Sequence, residues 1–141
     1  RGLHIKTLNT NEKTPKLKMI IYTSCPEQMK LDIQSEDSVV VIDSSLSELN
    51  VSAKNSVISL EGETTYPICV DIKDTVIGMK FQTVNAIFSL DVEDSVVSLP
   101  KGNGIMADTR YQDEKVFGKG ECQVDVRAED SVIEATGSTA P

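Results

Sequence analysis

Tryptophan is absent from this chain, histidine occurs once, at His4, and aromatic residues make up only 4% of the sequence. A Ser-His-Asp or Cys-His catalytic arrangement would therefore have to be built around His4. So few aromatic side chains also argue against broad stacking platforms for sugar rings or nucleobases. The three cysteines, Cys25, Cys69 and Cys122, are odd in number and far apart. Without CxxC spacing neither a zinc site nor a thioredoxin-like motif is expected; free thiols are the default and one disulfide stays open. No apolar run approaches the length of a transmembrane span, and no signal peptide is visible. Neither a G-x-S-x-G elbow nor a phosphate loop occurs, and Gly102-Asn103-Gly104 reads as a turn.

Charge is unevenly placed. The chain of 141 residues carries a net −8, yet residues 1–30 hold six Lys or Arg against Glu12 and Glu27, a net +4, which leaves −12 for the remainder. An acidic body repels nucleic acid phosphate and anionic lipid, so nucleic acid is not an expected partner.

What the sequence has in abundance is one short phrase. It reads Asp37-Ser38-Val39-Val40, Asn55-Ser56-Val57-Ile58, Asp74-Thr75-Val76-Ile77, Asp94-Ser95-Val96-Val97 and Asp130-Ser131-Val132-Ile133. The hydroxyl residues are separated by 18, 19, 20 and 36 positions, the last being twice 18. A step of that size sustained along a chain marks stacked structural repeats. Relative to the hydroxyl, apolar residues recur seven, five and three places before it and two and four places after it. Leu49, Val51, Ala53, Ile58 and Leu60 fill these slots in the second copy. Each run alternates with a period of two, which is strand periodicity. The parity flips between the runs, so the Asp/Asn-Ser/Thr pair must be a bend or bulge, where Asp and Asn tolerate left-handed backbone angles. The Val after each hydroxyl would face away from the interior.

These features predict an all-β chain: a single-stranded parallel β-solenoid of about five to seven rungs, right-handed by the crossover rule. Residues 1–30 are expected to hold an opening strand or cap, with Leu17, Met19 and Ile21 alternating; 31–137 form the repeats, and 138–141 a frayed tail. Between 101 and 120 a clean repeat is missing, giving either a degenerate rung or an outward loop. Because irregular insertions tend to carry binding sites, Asp108, Arg110, Tyr111, Asp113 and Phe117 are the candidate binding residues. The corner carboxylates Asp37, Asp74, Asp94 and Asp130 admit two readings: residues that shape the bend, or an acidic edge for calcium. No EF-hand or Gly-Asp nonapeptide spacing accompanies them, so the corner role is favoured, and no other cofactor is expected. The column of corner hydroxyls also suggests an ice-binding surface, weakly, since it lacks a Thr-x-Thr array.

From about Leu31 to Thr136, runs such as Leu49-Asn50-Val51-Ser52-Ala53-Lys54-Asn55-Ser56-Val57-Ile58 and Leu90-Asp91-Val92-Glu93-Asp94-Ser95-Val96-Val97 make the chain resemble adhesin-type β-helix domains of bacterial cell-envelope proteins. The resemblance implies the fold and an extracytoplasmic or envelope location, and it brings no catalytic residues. The expected function is a non-enzymatic binding module with a protein or glycan partner. The rivals are a scaffold that self-assembles through its solenoid ends into homo-oligomers, and a small carbohydrate-active enzyme using Asp74 and Asp94.

Overall fold

Alternating apolar residues give strands wherever the repeats predict them. The structure, a computed structural model, describes residues 4–9, 16–22, 30–43, 46–62 and 66–139, with side chains described from residue 30 onward. Two strands precede the repeats, β1 (His4–Asn9) and β2 (Lys16–Tyr22). The first four copies supply β3 (Lys30–Glu36) and β4 (Ser38–Asp43), β5 (Glu48–Lys54) and β6 (Val57–Gly62), β7 (Ile68–Lys73) and β8 (Val76–Val84), and β9 (Ala86–Glu93) and β10 (Ser95–Leu99). A short 3-10 turn, Pro100–Gly102, then leads to β11 (Asn103–Ala107) and β12 (Tyr111–Phe117). The last copy supplies β13 (Cys122–Glu129) and β14 (Val132–Thr139).

The strands form two seven-stranded sheets, ordered β1-β4-β6-β8-β14-β10-β11 and β12-β9-β13-β7-β5-β3-β2. Every copy thus contributes one strand to each sheet, a pair called a rung below. The repeat strands pair in parallel with equivalent residues side by side, as in Leu31, Leu49 and Ile68, or Ile58 and Ile77. The slots read from the sequence face inward: Leu31, Val40, Leu49, Ile77, Phe88, Val97, Val124 and Ile133 are fully buried. Each such side chain contributes roughly 1.5–3 kcal/mol by leaving water. Among the described residues, no helix is long and apolar enough to cross a membrane.

The corner explains the parity flip. Asp37 has φ 55°, and Asn55, Asp74, Asp94 and Asp130 each have φ 49°. This left-handed region costs most residues roughly 1–2 kcal/mol, and Asp and Asn enter it because their short side chains bond locally. The hydroxyl that follows turns inward and donates to the carbonyl two residues back, from Ser56 to Lys54 at 2.9 Å and from Thr75 to Lys73 at 2.7 Å. It also accepts from the neighbouring rung: Ser38 N–H to Ser56 Oγ at 3.3 Å, Ser56 N–H to Thr75 Oγ1 at 3.3 Å, Thr75 N–H to Ser131 Oγ at 3.2 Å, and Ser131 N–H to Ser95 Oγ at 3.1 Å. All five hydroxyl residues are buried, which removes them from consideration as an ice-facing array.

The rungs do not stack in chain order. The fifth copy lies between the third and the fourth, with β13 pairing β7 on one side and β9 on the other, and β14 pairing β8 and β10. A coil wound once in a single direction therefore does not describe the topology. The step of 20 residues between the third and fourth hydroxyls has a physical use. Two residues beyond 18 add about 6.6 Å of extended chain, more than the about 4.8 Å needed to pass over one additional strand.

The missing repeat is also resolved. Residues 103–117 are neither a loop nor a forward rung: Lys101, at φ 62°, helps reverse the chain, and β11 and β12 return antiparallel to β10 and β9. At the opposite end β1 and β2 pair antiparallel with β4 and β3, with Leu17, Met19 and Ile21 in register with Ser35, Ile33 and Leu31. Each end is thus closed by strands running against the stack. Within the expected tail, Ser138 and Thr139 are instead strand residues that pair with Thr83 and Val84; 140–141 lie outside the described residues.

Candidate functional site

Because side chains alternate along a strand, the residues between the core positions of β3, β5, β7, β13, β9 and β12 all project from the outer face of the second sheet. Register sets them in two rows. One runs Asp32, Asn50, Cys69, Asp125, Ser89, Glu114; the other runs Gln34, Ser52, Asp71, Arg127, Asp91, Gln112. Together they line an open trough of about 880 Å³ walled by β7, β13, β9 and β12. A smaller depression of about 360 Å³ continues it across β5 and β3, the two sharing Cys69 and Asp71. No aromatic side chain lines either part.

Carboxylates dominate the larger trough: Asp71, Asp91, Glu114 and Asp125 project into it beside Arg127, while Asp113 borders it from an inward register position. The rows are tied laterally. Gln123 donates through Nε2 to Ser89 Oγ at 2.6 Å and Asp125 Oδ1 at 2.7 Å, and Asn50 Nδ2 donates to Asp32 Oδ1 at 2.8 Å. At the rim Arg110 clamps Asp91 with Nε–Oδ1 at 2.9 Å and Nη2–Oδ2 at 3.0 Å. That pairing holds the Asp91 carboxyl below its ordinary range. The Cys69 thiol is pushed up by burial first, then by Asp125 and Asp71. A thiol biased against ionisation is a poor nucleophile. Cys122 is likewise pushed up by burial, and both thiols are free; Cys25 lies outside the described residues.

The residues singled out from 101–120 do not form one site. Arg110 reaches the rim of the trough through its pairing with Asp91. Tyr111 and Asp113 hold inward register positions on β12, opposite Val92 and Leu90. There the Tyr111 hydroxyl donates to Asp113 Oδ2 at 2.7 Å, and Lys115 Nζ stands 3.1 Å from the same oxygen. These partners lower the Asp113 carboxyl and raise the Tyr111 phenol and the Lys115 ammonium. Phe117 is not a binding residue: it is 6% exposed and meets Phe88 edge-on, with ring centroids 5.6 Å apart. Asp108 is exposed at the bend between β11 and β12.

The calcium edge also needs correction. Among the described residues no group of three or more His, Cys, Asp or Glu could hold a metal ion. Asp37, Asp74, Asp130 and Asp94 share one column of positive-φ corners with Asn55, which separates Asp37 from Asp74 and donates through Nδ2 to Asp37 Oδ1 at 2.6 Å. The wall of the trough was not among the sequence candidates. Its signal lay in the polar partners of the strand alternation, Asp71, Ser89, Asp125 and Arg127, rather than in the irregular segment. No protein-family model, curated protein or solved structure matches the chain.

Proposed function

We propose that this chain is a non-enzymatic binding module whose acidic trough takes an extended cationic ligand, a Lys- or Arg-bearing segment of a protein partner. The observation that carries the reading is the trough itself: an open, strand-built wall with four outward carboxylates against Arg127 and the rim Arg110, and no aromatic platform. Charge complementarity of this kind steers encounter and fixes register more than it adds raw affinity. The fold belongs to this reading as well, as a β-solenoid modified by a displaced rung and two reversed caps. Its resemblance to adhesin-type β-helix domains supports an extracytoplasmic or cell-envelope setting.

End-to-end assembly is less favoured at the β12 end, where Asp113 and Lys115 take inward register positions. Inward-pointing charge on a terminal strand is a device that discourages further strand pairing. A carbohydrate-active enzyme is less favoured too. A glycosidase wants two opposed carboxyls at a set gap, whereas Asp74 and Asp94 stand in one column of corners with the rung of Asp130 between them.

The test is titration of fluorescently labelled oligolysine with the protein, read by anisotropy over a range of salt. Binding should weaken as salt rises. Replacing Asp71 and Asp125 by Asn together should reduce affinity about two- to thirtyfold, from about 0.2–1 kcal/mol per exposed charge pair. Absence of binding, or equal affinity of the doubly neutralised variant, contradicts the reading.

A further inference from the structure

The fifth rung enters the stack last in the chain but occupies a middle place. Its partners are all distant in sequence: Ser95 is 36 residues from Ser131, and Thr75 is 56 residues away. Strand pairing therefore holds the rung on both flanks, while a single connection ties it to the preceding segment. That connection, residues 118–121, passes over the turn between β8 and β9. Asn85 Oδ1 accepts from Lys119 N–H at 2.9 Å and Glu121 N–H at 3.2 Å, and the Asn85 carbonyl accepts from Cys122 N–H at 3.2 Å. Gly118 and Gly120 stand at φ 63° and 65°. A Cβ on Gly120 would lie 2.9 Å from Ile87 Cγ1, so the chain turns here only because that residue has no side chain.

We propose that the partner this architecture accepts is a second copy of the chain, through exchange of the rung formed by β13 and β14. Rungs one to four of one copy leave a gap one strand wide in each sheet. The fifth rung of another copy fits it with the same register and the same hydrogen bonds. Closed monomer and exchanged dimer then differ mainly in the conformation of 118–121 and in the entropy of association, the general condition for domain swapping. The exchange matters for the trough, because Asp125 and Arg127 sit on β13 in the middle of its wall. In an exchanged dimer each trough is built from two chains. The inference concerns assembly alone and does not depend on which ligand the trough takes.

Once inserted, the rung leaves only by breaking strand pairing on both flanks, so the partition between forms is set during folding. An attached segment competes at an effective concentration in the millimolar range. The experiment is refolding of the full chain from denaturant, under reducing conditions, at about 1 µM and at about 1 mM, followed by dilution and light scattering. Dilute refolding should give monomer. Concentrated refolding should give dimer that persists after dilution into native buffer.

A second measurement distinguishes exchange from surface association. One full-length chain carries Val126→Asp, which spoils its fifth rung, and another carries Val51→Asp, which spoils its second. Buried unpaired charge should keep each from folding alone. Refolded as a mixture, they should recover a cooperatively unfolding heterodimer, in which the first chain's sound rungs accept the second chain's sound fifth rung. Monomer at every concentration, dimer that dissociates on simple dilution, or a mixture that recovers no folded species each overturns the proposal.

Discussion

Neighbouring residues in this chain have opposite fates, and the pleat decides which. Val97 is 0% exposed and Val96 is 41% exposed, and the same contrast holds between Ile77 and Val76. That alternation was readable from the apolar slots, as was the outward course of the valine beside each hydroxyl. What was not readable was the destination of the hydroxyl, since Ser and Thr are equally at home in solvent. Its burial follows from the left-handed residue before it, which rotates the chain so that Oγ meets the carbonyl two residues back. Tyr66 is a further case: it is 2% exposed, and its hydroxyl finds no hydrogen-bond partner among the described residues. Burial disfavours the phenolate and pushes its pKa up from 10.0 to about 12. A folded-state pKa above the unfolded one means that the folded state holds the proton more tightly. The associated stability is complete below pH 10 and is lost as pH rises toward 12, at about 1.4 kcal/mol per pH unit for one group. Tyr66→Phe should change stability little at pH 7, because an apolar group of the same shape replaces an unpaired hydroxyl. Urea denaturation from pH 9 to 11.5 should show a shallower alkaline loss for Tyr66→Phe than for the parent; equal slopes would contradict this.

Individual strands carried enough periodicity to be located from sequence, with one instructive exception. In β12 the inward register positions are Tyr111, Asp113, Lys115 and Phe117, so two of the four are charged and the apolar slots look broken. The segment nevertheless forms a strand, because it closes an end where one flank meets solvent and where charge can remain hydrated beside a tyrosine hydroxyl. The same feature explains why a search for function concentrated there was only partly rewarded. Arg110 reaches the rim of the trough from this segment, whereas Phe117 is core and most of the acidic wall belongs to regular strands. If Asp113 and Lys115 protect the terminal strand from further pairing, replacing both with valine should expose a continuous apolar edge. Light scattering should then show a mass that climbs with concentration in the double variant and not in the parent. Equal masses would mean that the polar pair has no such role.

At the scale of the whole molecule, the five copies of the phrase located five strand pairs and the faces they bury, within an expected five to seven, but neither their order nor the reversed strands at 103–117. The third, fourth and fifth copies fill the same slots with similar aliphatic residues, so Ile72, Val92 and Ala128, or Ile77, Val97 and Ile133, are interchangeable as neighbours in a ladder. Order depends instead on connection length and on the reversed segment 103–117. The 20-residue step skips a place, the reversal caps the fourth rung, and 118–121 returns the chain to the place left open. This arrangement puts Asp125 between Cys69 and Ser89, and Arg127 between Asp71 and Asp91, and so assembles the trough from strands far apart in sequence.

The out-of-order stack is the claim on which the trough and the rung exchange both rest, and backbone proton contacts in solution test it most directly. In the parallel ladder described, Val126 lies between Val70 and Leu90. Cross-strand nuclear Overhauser contacts at this ladder position should join Val126 to both strands and be absent between the Val70 and Leu90 backbones, two strand spacings or about 9.6 Å apart. Direct backbone contacts between Val70 and Leu90, with Val126 seen only beyond Leu90, would mean that the rungs stack in chain order and would contradict the account.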